Sequence, residues 1–284
     1  MKFKQISKRI LLAIAIILVF IASLFAYAYF IEPRRLVVHE ETLRVPNWSA
    51  ELNGFKVVAI SDIHGGSNHV TEEKLRKIVE LANAQNPDVI VLLGDYVSQT
   101  GGQRSALKMP METVAENLKG FQAKYGVFAV IGNHDWWYDD KKVQVELERI
   151  GIKILENGTA AVQVGNETIS IWGIEDLWRN RKVPAAAFEK IADKKNILAI
   201  THNPDSLLWT PNGISLMLAG HSHGGQVNYP FYGAKAYVND PRFMAGEAVV
   251  DGKHIFITTG IGTSVVPLRF RVPPEIAVLT LFAE

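Results

Sequence analysis

The sequence predicts an α/β domain carried behind one N-terminal transmembrane helix. Three observations predict it. In the first half, short and nearly continuous apolar runs alternate with helical patterns. In the second half, two hairpin patterns and three further apolar runs follow. Ahead of everything stands an uncharged stretch of 22 residues, Ile10 to Ile31. Apolar strands without polar alternation argue for a sheet covered on both faces.

The N-terminal stretch contains only Ser23, Tyr27 and Tyr29 as weakly polar members. As a helix it spans about 33 Å, against a hydrocarbon core of roughly 30 Å. Lys2, Lys4, Lys8 and Arg9 precede it; Arg34 and Arg35 follow, partly offset by Glu32. The positive-inside rule puts the N-terminus in the cytoplasm and the remainder outside, as a single-pass membrane protein. Tyr27, Tyr29 and Phe30 form an aromatic belt at the far interface. The alternative is an exported protein whose signal is cleaved, since Ala26-Tyr27-Ala28 has the small-x-small form of a cleavage site. Ser7-Lys8-Arg9-Ile10-Leu11 also resembles a twin-arginine signal with lysine in place of the first arginine.

Residues 1–31 therefore read as basic stub and anchor, 32–50 as a linker broken by Pro33 and Pro46, and 51–284 as one domain. Leu36-Val37-Val38 is a candidate edge strand within the linker. Phe55 to Ser61 is a buried strand ending in Asp62-Ile63-His64. Thr71 opens a helix with Glu72 and Glu73 in its first turn, where acidic residues complement the helix dipole. Val89 to Leu93 is the second strand, ending at Gly94-Asp95. Val114, Leu118 and Phe121 mark a second helix. Val127 to Val130 is the third strand, ending at Gly132-Asn133-His134-Asp135. Val143, Leu147 and Ile150 mark a third helix. Ala161–Val164 and Glu167–Ile171 form a hairpin about Gly165-Asn166. Ile197 to Ile200 leads to His202, and Ile214 to Leu218 leads to Gly220-His221-Ser222-His223. Ala248–Val250 and His254–Thr258 form a second hairpin about Asp251-Gly252. Glu275 to Leu281 is the last strand.

Composition narrows the function. Lys+Arg 30 against Asp+Glu 29 gives no basic excess for nucleic acid. With no cysteine, disulfides and thiolate metal sites are excluded. Five strand ends carry Asp62 and His64, Asp95, Asn133 and His134, His202, and His221 and His223. Ligands of open α/β sheets gather at the carboxyl ends of strands, so these eight groups converge. Oxygen and imidazole donors without thiolate suit Mn, Fe, Zn or Mg. Seven metal ligands exceed the needs of one tetrahedral ion and suit two ions sharing a carboxylate.

In order, Asp62-x-His64, Gly94-Asp95, Gly132-Asn133-His134-Asp135, His202 and Gly220-His221-x-His223 resemble the motifs of the calcineurin-like metallophosphoesterases. The resemblance covers roughly residues 53 to 282. Gly260-Ile261-Gly262 and Pro273-Pro274-Glu275-Ile276 look like the membrane-anchored or exported branch that includes YaeI- and YkuE-type enzymes and is similar to the chlamydial type of UDP-2,3-diacylglucosamine hydrolase. The resemblance implies a four-layer α/β/β/α sandwich and two divalent ions, manganese favoured. Asp62, His64 and His223 would hold one ion, Asn133, His202 and His221 the other, and Asp95 would bridge them. A metal-bridging hydroxide would hydrolyse a phosphoester or pyrophosphate bond, with His134 as catalytic proton donor. Gly224 and Gly225 would let backbone approach the site.

One departure stands out. Protein phosphatases of this family carry an acid and an arginine shortly after the bridging aspartate. Here Asp95 is followed by Tyr96-Val97-Ser98-Gln99, with Ser98 where the acid that orients the catalytic histidine belongs. A protein phosphatase is therefore disfavoured, and the partner of His134 is left open, with Asp135 as one candidate. The anchor favours a small-molecule or lipid-linked phosphate ester of the cell envelope, a UDP-2,3-diacylglucosamine-type pyrophosphate among them. No obligate protein partner is inferred. The alternative is a catalytically silent, metal-binding regulatory protein at the membrane. His39, His69 and His254 carry no assigned role. Trp136-Trp137-Tyr138 read either as packing or as an apolar wall for an acyl chain or base. Trp178 to Lys182 reads as a solvated loop. Arg269 and Arg271 are candidate contacts for substrate phosphate.

Overall fold

The computed structural model describes residues 2–236 and 238–284, with side chains from residue 8 onward except Tyr237. The side chains of Lys2 and Lys4, part of the expected basic flank, lie outside the described residues. Helix α1 (Lys2–Ala26) ends in a π turn over Tyr27–Ile31 and a 3-10 turn over Glu32–Arg34. It is the one helix among the described residues long and apolar enough to cross a membrane.

Beyond it come β1 (Val37–Val45), β2 (Phe55–Ile60), α2 (Glu72–Ala84), β3 (Val89–Leu93), α3 (Met111–Leu118) and β4 (Val127–Val130). Next are α4 (Asn133–Tyr138), α5 (Asp140–Arg149), β5 (Lys153–Ile154), β6 (Thr159–Val164), β7 (Glu167–Ile174) and α6 (Ala186–Glu189). The chain closes with β8 (Ile197–Thr201), β9 (Leu216–Ala219), β10 (Gly246–Val250), β11 (Lys253–Ile257) and β12 (Glu275–Ala283). They build two six-stranded mixed sheets, ordered β1-β12-β2-β3-β4-β5 and β10-β11-β9-β8-β7-β6.

The continuous apolar strands are explained by burial on both faces. Val57, Ala59, Val89, Val91 and Leu93 face the second sheet, where they meet Ile169, Ile171, Leu198, Ile200 and Leu218. Their neighbours Val58, Ile60, Ile90 and Leu92 face outward and pack on Leu75, Ile78, Val114 and Leu147 of α2, α3 and α5. The second sheet's outer face, with Trp172, Ala199 and Met217, is covered by Phe188 of α6, Leu207 and Phe243. This is the four-layer order, with a thin fourth layer of one short helix and 3-10 turns.

Both expected hairpins form, β6 with β7 and β10 with β11. Three expectations are corrected. The stretch read as a linker contributes a nine-residue edge strand, β1, parallel to β12; the candidate edge strand at Leu36-Val37-Val38 falls at its start, and its extension to Val45 depends on a partner at the far end of the chain. Phe121 falls outside α3, which ends at Leu118 ahead of the Gly120 turn. The Asn133-His134-Asp135 segment is not a bare strand end but the first turn of the separate helix α4.

Candidate metal centre and active site

All eight expected residues come together where β2, β3, β4, β8 and β9 end. Five of them, Asp62, His64, Asp95, His221 and His223, have left-handed backbone, with φ between 47° and 69°. Such φ values are uncommon outside glycine and cluster at functional sites. Here they turn the chain sharply as each strand stops, so that residues two apart both face one centre. Two glycines make room. A Cβ on Gly132 would stand 2.3 Å from Asp95 Oδ1, and one on Gly220 would stand 2.5 Å from Asp62 Oδ2. Gly224 packs against Thr259 and Val272, away from the ligands, whereas Gly225 packs against Ala234 and Lys235 and brings backbone to the cavity wall.

The ligand atoms fall in two overlapping groups. In one, His223 Nε2 is 3.2 Å from Asp62 Oδ1 and 3.2 Å from His64 Nε2. In the other, His202 Nε2 is 3.1 Å from Asn133 Oδ1 and 3.1 Å from His221 Nδ1. Asp95 Oδ2 stands between them, 3.5 Å from His64 Nε2 and 3.3 Å from His202 Nε2. Adjacent ligands about 2.1 Å from an ion lie about 3.0–3.4 Å apart, so these spacings fit a metal.

The chemistry of the donors fits as well. Each carboxylate spends one oxygen on a backbone N–H and aims the other inward. His221 N donates to Asp62 Oδ2 at 3.0 Å, and His134 N to Asp95 Oδ1 at 2.8 Å. Asp62 Oδ1 is buried with no hydrogen-bond donor. His64 Nδ1–H donates to the Val97 carbonyl at 3.1 Å and His202 Nδ1–H to the Leu93 carbonyl at 2.7 Å. These bonds fix the tautomer that leaves Nε2 bare for a metal. Burial drives the His64 and His221 imidazoles down to about 3, into the neutral form a ligand needs. Burial alone would raise the Asp62 and Asp95 carboxyls; His223 beside Asp62 and His202 beside Asp95 instead hold both below the usual carboxylate range. The same two aspartates hold His202 well above its ordinary value against its burial, so a metal would displace the His202 Nε2 proton. The site is built for divalent cations.

His134 lies at the edge of this centre, its ring 4.8 Å from that of His64. Its partner is Gln99, which sequence reasoning missed. Gln99 Oε1 accepts from His134 Nδ1–H at 2.8 Å, and Gln99 Nε2 donates to the His134 carbonyl at 2.8 Å. Gln99 stands one residue beyond the replaced acid, and that adjacency is the signal that could have found it. His134 Nε2 faces Ser264 Oγ at 3.3 Å. Asp135 is not the orienting group. Its carboxylate accepts from the backbone N–H groups of Asp95, Tyr96, Val97 and Gly132, and so fastens the β3 loop to the start of α4.

The centre opens into a cavity of about 1000 Å³. Trp137 and Trp178 form one wall; their rings meet edge-on at 5.7 Å, and Trp137 lies 4.8 Å from His134. Trp178 is thus part of the cavity, although its exposed neighbours Arg179 to Lys182 form the expected surface loop. The aromatic triplet divides: Trp137 lines the cavity, Tyr138 packs against the outer core, and Trp136 is exposed. Arg269 does not reach substrate. It is fully buried and donates to the carbonyls of Gly262, Val272, Thr259 and Gly260. Arg271 is exposed and lies outside the cavity lining.

Comparison with known proteins agrees with this geometry. Residues 55–225 match the model of the family described as calcineurin-like phosphoesterase. Phosphodiesterase YaeI of Escherichia coli is 30% identical over 284 residues, covering 98% of this chain and 100% of its own. The uncharacterized metallophosphoesterase YkuE of Bacillus subtilis is 28% identical, covering 90% and 89%. A transmembrane protein with metallophosphoesterase domain from Danio rerio is 30% identical, covering 94% of this chain and 62% of its own. With a family match across more than half its length and a metal-fitting cluster at the family's motifs, the chain belongs to the calcineurin-like phosphoesterases and is a metal-dependent phosphoesterase.

Proposed function

We propose that the protein hydrolyses a phosphoester or phosphoanhydride bond on a lipid-linked or cell-envelope substrate outside the cytoplasmic membrane. The observation that carries this reading is the shared Asp95 carboxylate between two ligand groups, with His134 beside them. Asp62, His64 and His223 would hold one divalent ion, Asn133, His202 and His221 a second, and Asp95 would be shared; manganese suits this oxygen and nitrogen set. Bound ions supply an activated water and offset the charge on the attacking and leaving oxygens. Within that frame, Gln99 holds the Nδ1 proton of His134 and turns Nε2 toward the cavity. From there protonated His134 donates to the departing oxygen. Trp137 and Trp178 exclude water from one side and give an apolar surface to the group attached to phosphate.

Helix α1 anchors the chain with its N-terminus inside, which keeps the cavity beside the outer leaflet. A UDP-2,3-diacylglucosamine-type pyrophosphate belongs to the accepted chemical class, but such nucleotide-linked lipids arise on the cytoplasmic side, so an exported phospholipid ester suits this topology better. The test uses the full chain in detergent, loaded with manganese and assayed on bis-p-nitrophenyl phosphate and p-nitrophenyl phosphate, then on lipid pyrophosphates, nucleotides and cyclic diesters. Turnover with two ions bound is expected, with a preference for a lipid-borne ester. Two bound ions without turnover would favour the silent, regulatory reading.

A further inference from the structure

Helix α1 does not hang from the domain by a flexible tether. A helix end leaves carbonyls without intrahelical donors, and in a membrane interface these need partners. Here the domain provides them. Arg269 N donates to the Ala28 carbonyl at 3.0 Å. Asn68 Nδ2 and His69 Nε2–H both reach the Tyr29 carbonyl, at 3.0 and 2.9 Å. Lys74 Nζ donates to the Pro33 carbonyl at 2.7 Å. Phe270 packs edge-on against the Tyr27 ring, with centroids 6.3 Å apart. The helix exit is therefore bolted to Asn68, His69 and Lys74 on one side and to Arg269 and Phe270 on the other, with Asn68 also donating to the Pro267 carbonyl at 2.7 Å.

The residues just before Arg269 and Phe270 in the chain, Thr263 to Val266, line the active-site cavity. Going one way from Arg269, the chain runs back through Val266 and Val265 to Ser264, which faces His134. Going the other way, Phe270 bridges to Val227, and Asn228 N donates to the Phe270 carbonyl at 2.9 Å. Val227 leads into a tight hairpin closed by two hydrogen bonds between Tyr229 and Gly233. The two tips carry what a soluble surface avoids. Phe231 is 103% exposed, Tyr232 86% and Val265 89%. Phe231 and Val265 also have left-handed backbone, with φ of 69° and 62°, where glycine would be the ordinary occupant. Val265 is four positions from Arg269, which bonds to the Ala28 carbonyl, a reach of at most about 14 Å; Phe231 is four positions from Val227, which pairs with the Phe270 that packs on Tyr27.

We infer that the cavity mouth lies against the bilayer, with Phe231 and Tyr232 of one tip and Val265 and Val266 of the other seated among lipid headgroups. This rests on the reading of α1 as a membrane anchor and adds the orientation of the catalytic domain to it. Aromatic and aliphatic side chains of this kind gain by entering the interface, where a Tyr ring keeps its hydroxyl wet. The partner is the phospholipid surface itself. Lys108 and Lys235 on the cavity wall face the same opening and suit its phosphates. A substrate held in the leaflet would then reach the metal centre without leaving the membrane.

The chain has no cysteine, so single-cysteine labelling needs no background removal. The full chain is reconstituted in phosphatidylcholine–phosphatidylglycerol vesicles. An environment-sensitive dye is placed in turn at Phe231→Cys, Tyr232→Cys and Val265→Cys. Leu18→Cys in α1 serves as the membrane reference. Asn166→Cys, exposed on the β6–β7 turn at the opposite end of the sheet from the metal centre, serves as the aqueous reference. Quenching by shallow spin-labelled lipid is expected to be roughly threefold greater at the tips than at residue 166, with protection from iodide. Tips that quench like residue 166 while Leu18 quenches deeply would overturn the inference and leave the anchor standing. An unquenched Leu18 would overturn both. Agreement between the two hairpin positions guards against one misfolded variant.

Discussion

The Gln99–His134 pair allows a prediction that depends on the observed geometry. Replacing Gln99 with Leu removes two hydrogen bonds of 2.8 Å, one to His134 Nδ1–H and one from the Gln99 amide to the His134 carbonyl. No ligand atom is touched. Gln99 is buried at the cavity wall and a leucine side chain would fill its place, so the abandoned Nδ1–H is poorly reached by water. An unsatisfied buried donor costs about 1–3 kcal/mol. If that cost falls on the productive ring orientation, kcat drops about 5- to 150-fold. Metal content, measured by mass spectrometry after dialysis, should stay at the wild-type value. Gln99→Glu gives the opposite electrostatic change. It keeps an acceptor for Nδ1–H and places a carboxylate beside the imidazole, which favours the imidazolium. Burial lowers the wild-type His134 imidazole; an adjacent carboxylate should raise it by on the order of one unit. If His134 acts as an acid, the alkaline limb of the kcat profile moves up by the same amount. A Gln99→Leu enzyme within twofold of wild type, or a Gln99→Glu profile that does not move, would refute the reasoning.

Four further outcomes follow from the same site. His134→Ala should lower kcat on bis-p-nitrophenyl phosphate by about 10²–10⁴, the range of general acid catalysis, with ion content unchanged; loss of ions would make it a ligand. His202→Ala removes a group in contact with Asn133, Asp95 and His221, and elemental analysis should find about one ion fewer per chain. In the metal-free protein, burial holds His64 and His221 down to about 3 when folded, against about 6.5 in an unfolded chain. The unfolded state therefore binds more protons between those values, so stability is present above pH 6.5 and lost as pH falls toward 3; urea titration at pH 4.5 should show a loss on the order of 2 kcal/mol per histidine relative to pH 7. Arg269→Met strands the carbonyls of Gly262, Val272, Thr259 and Gly260 and should cost at least about 3 kcal/mol in the same assay, whereas a phosphate-binding arginine would change KM at constant stability.

The convergence of the eight candidate site residues was legible because each sits within four residues of a strand end, and each strand is a short, mostly apolar run. Burial on both faces writes those runs into the sequence, and the turn that follows needs Gly at a fixed offset, as at Gly94, Gly132 and Gly220. The pairing of β1 with β12 was not legible in the same way. Val37 meets Glu275 across nearly the whole chain, and Glu40 and Glu41 interrupt any apolar alternation in the run. Only the partner strand makes that stretch a strand.

The residues that were missed share one physical feature: their roles are assigned by loops folding over the site. Ser98 takes the position of the expected acid and lines the cavity, yet the neighbouring Gln99, longer by one methylene than aspartate, reaches His134. Asp135 looked suitable because it is acidic and adjacent. A helix start, however, presents free N–H groups, and its carboxylate is consumed by Gly132 N and three donors from the β3 loop. Arg269 looked like a phosphate ligand because arginine often is one. Full burial instead turns its five donors inward, onto the turn that carries Ser264, and its own N–H reaches the end of α1. A single loop thereby joins the end of helix α1, the cavity rim and the neighbour of His134.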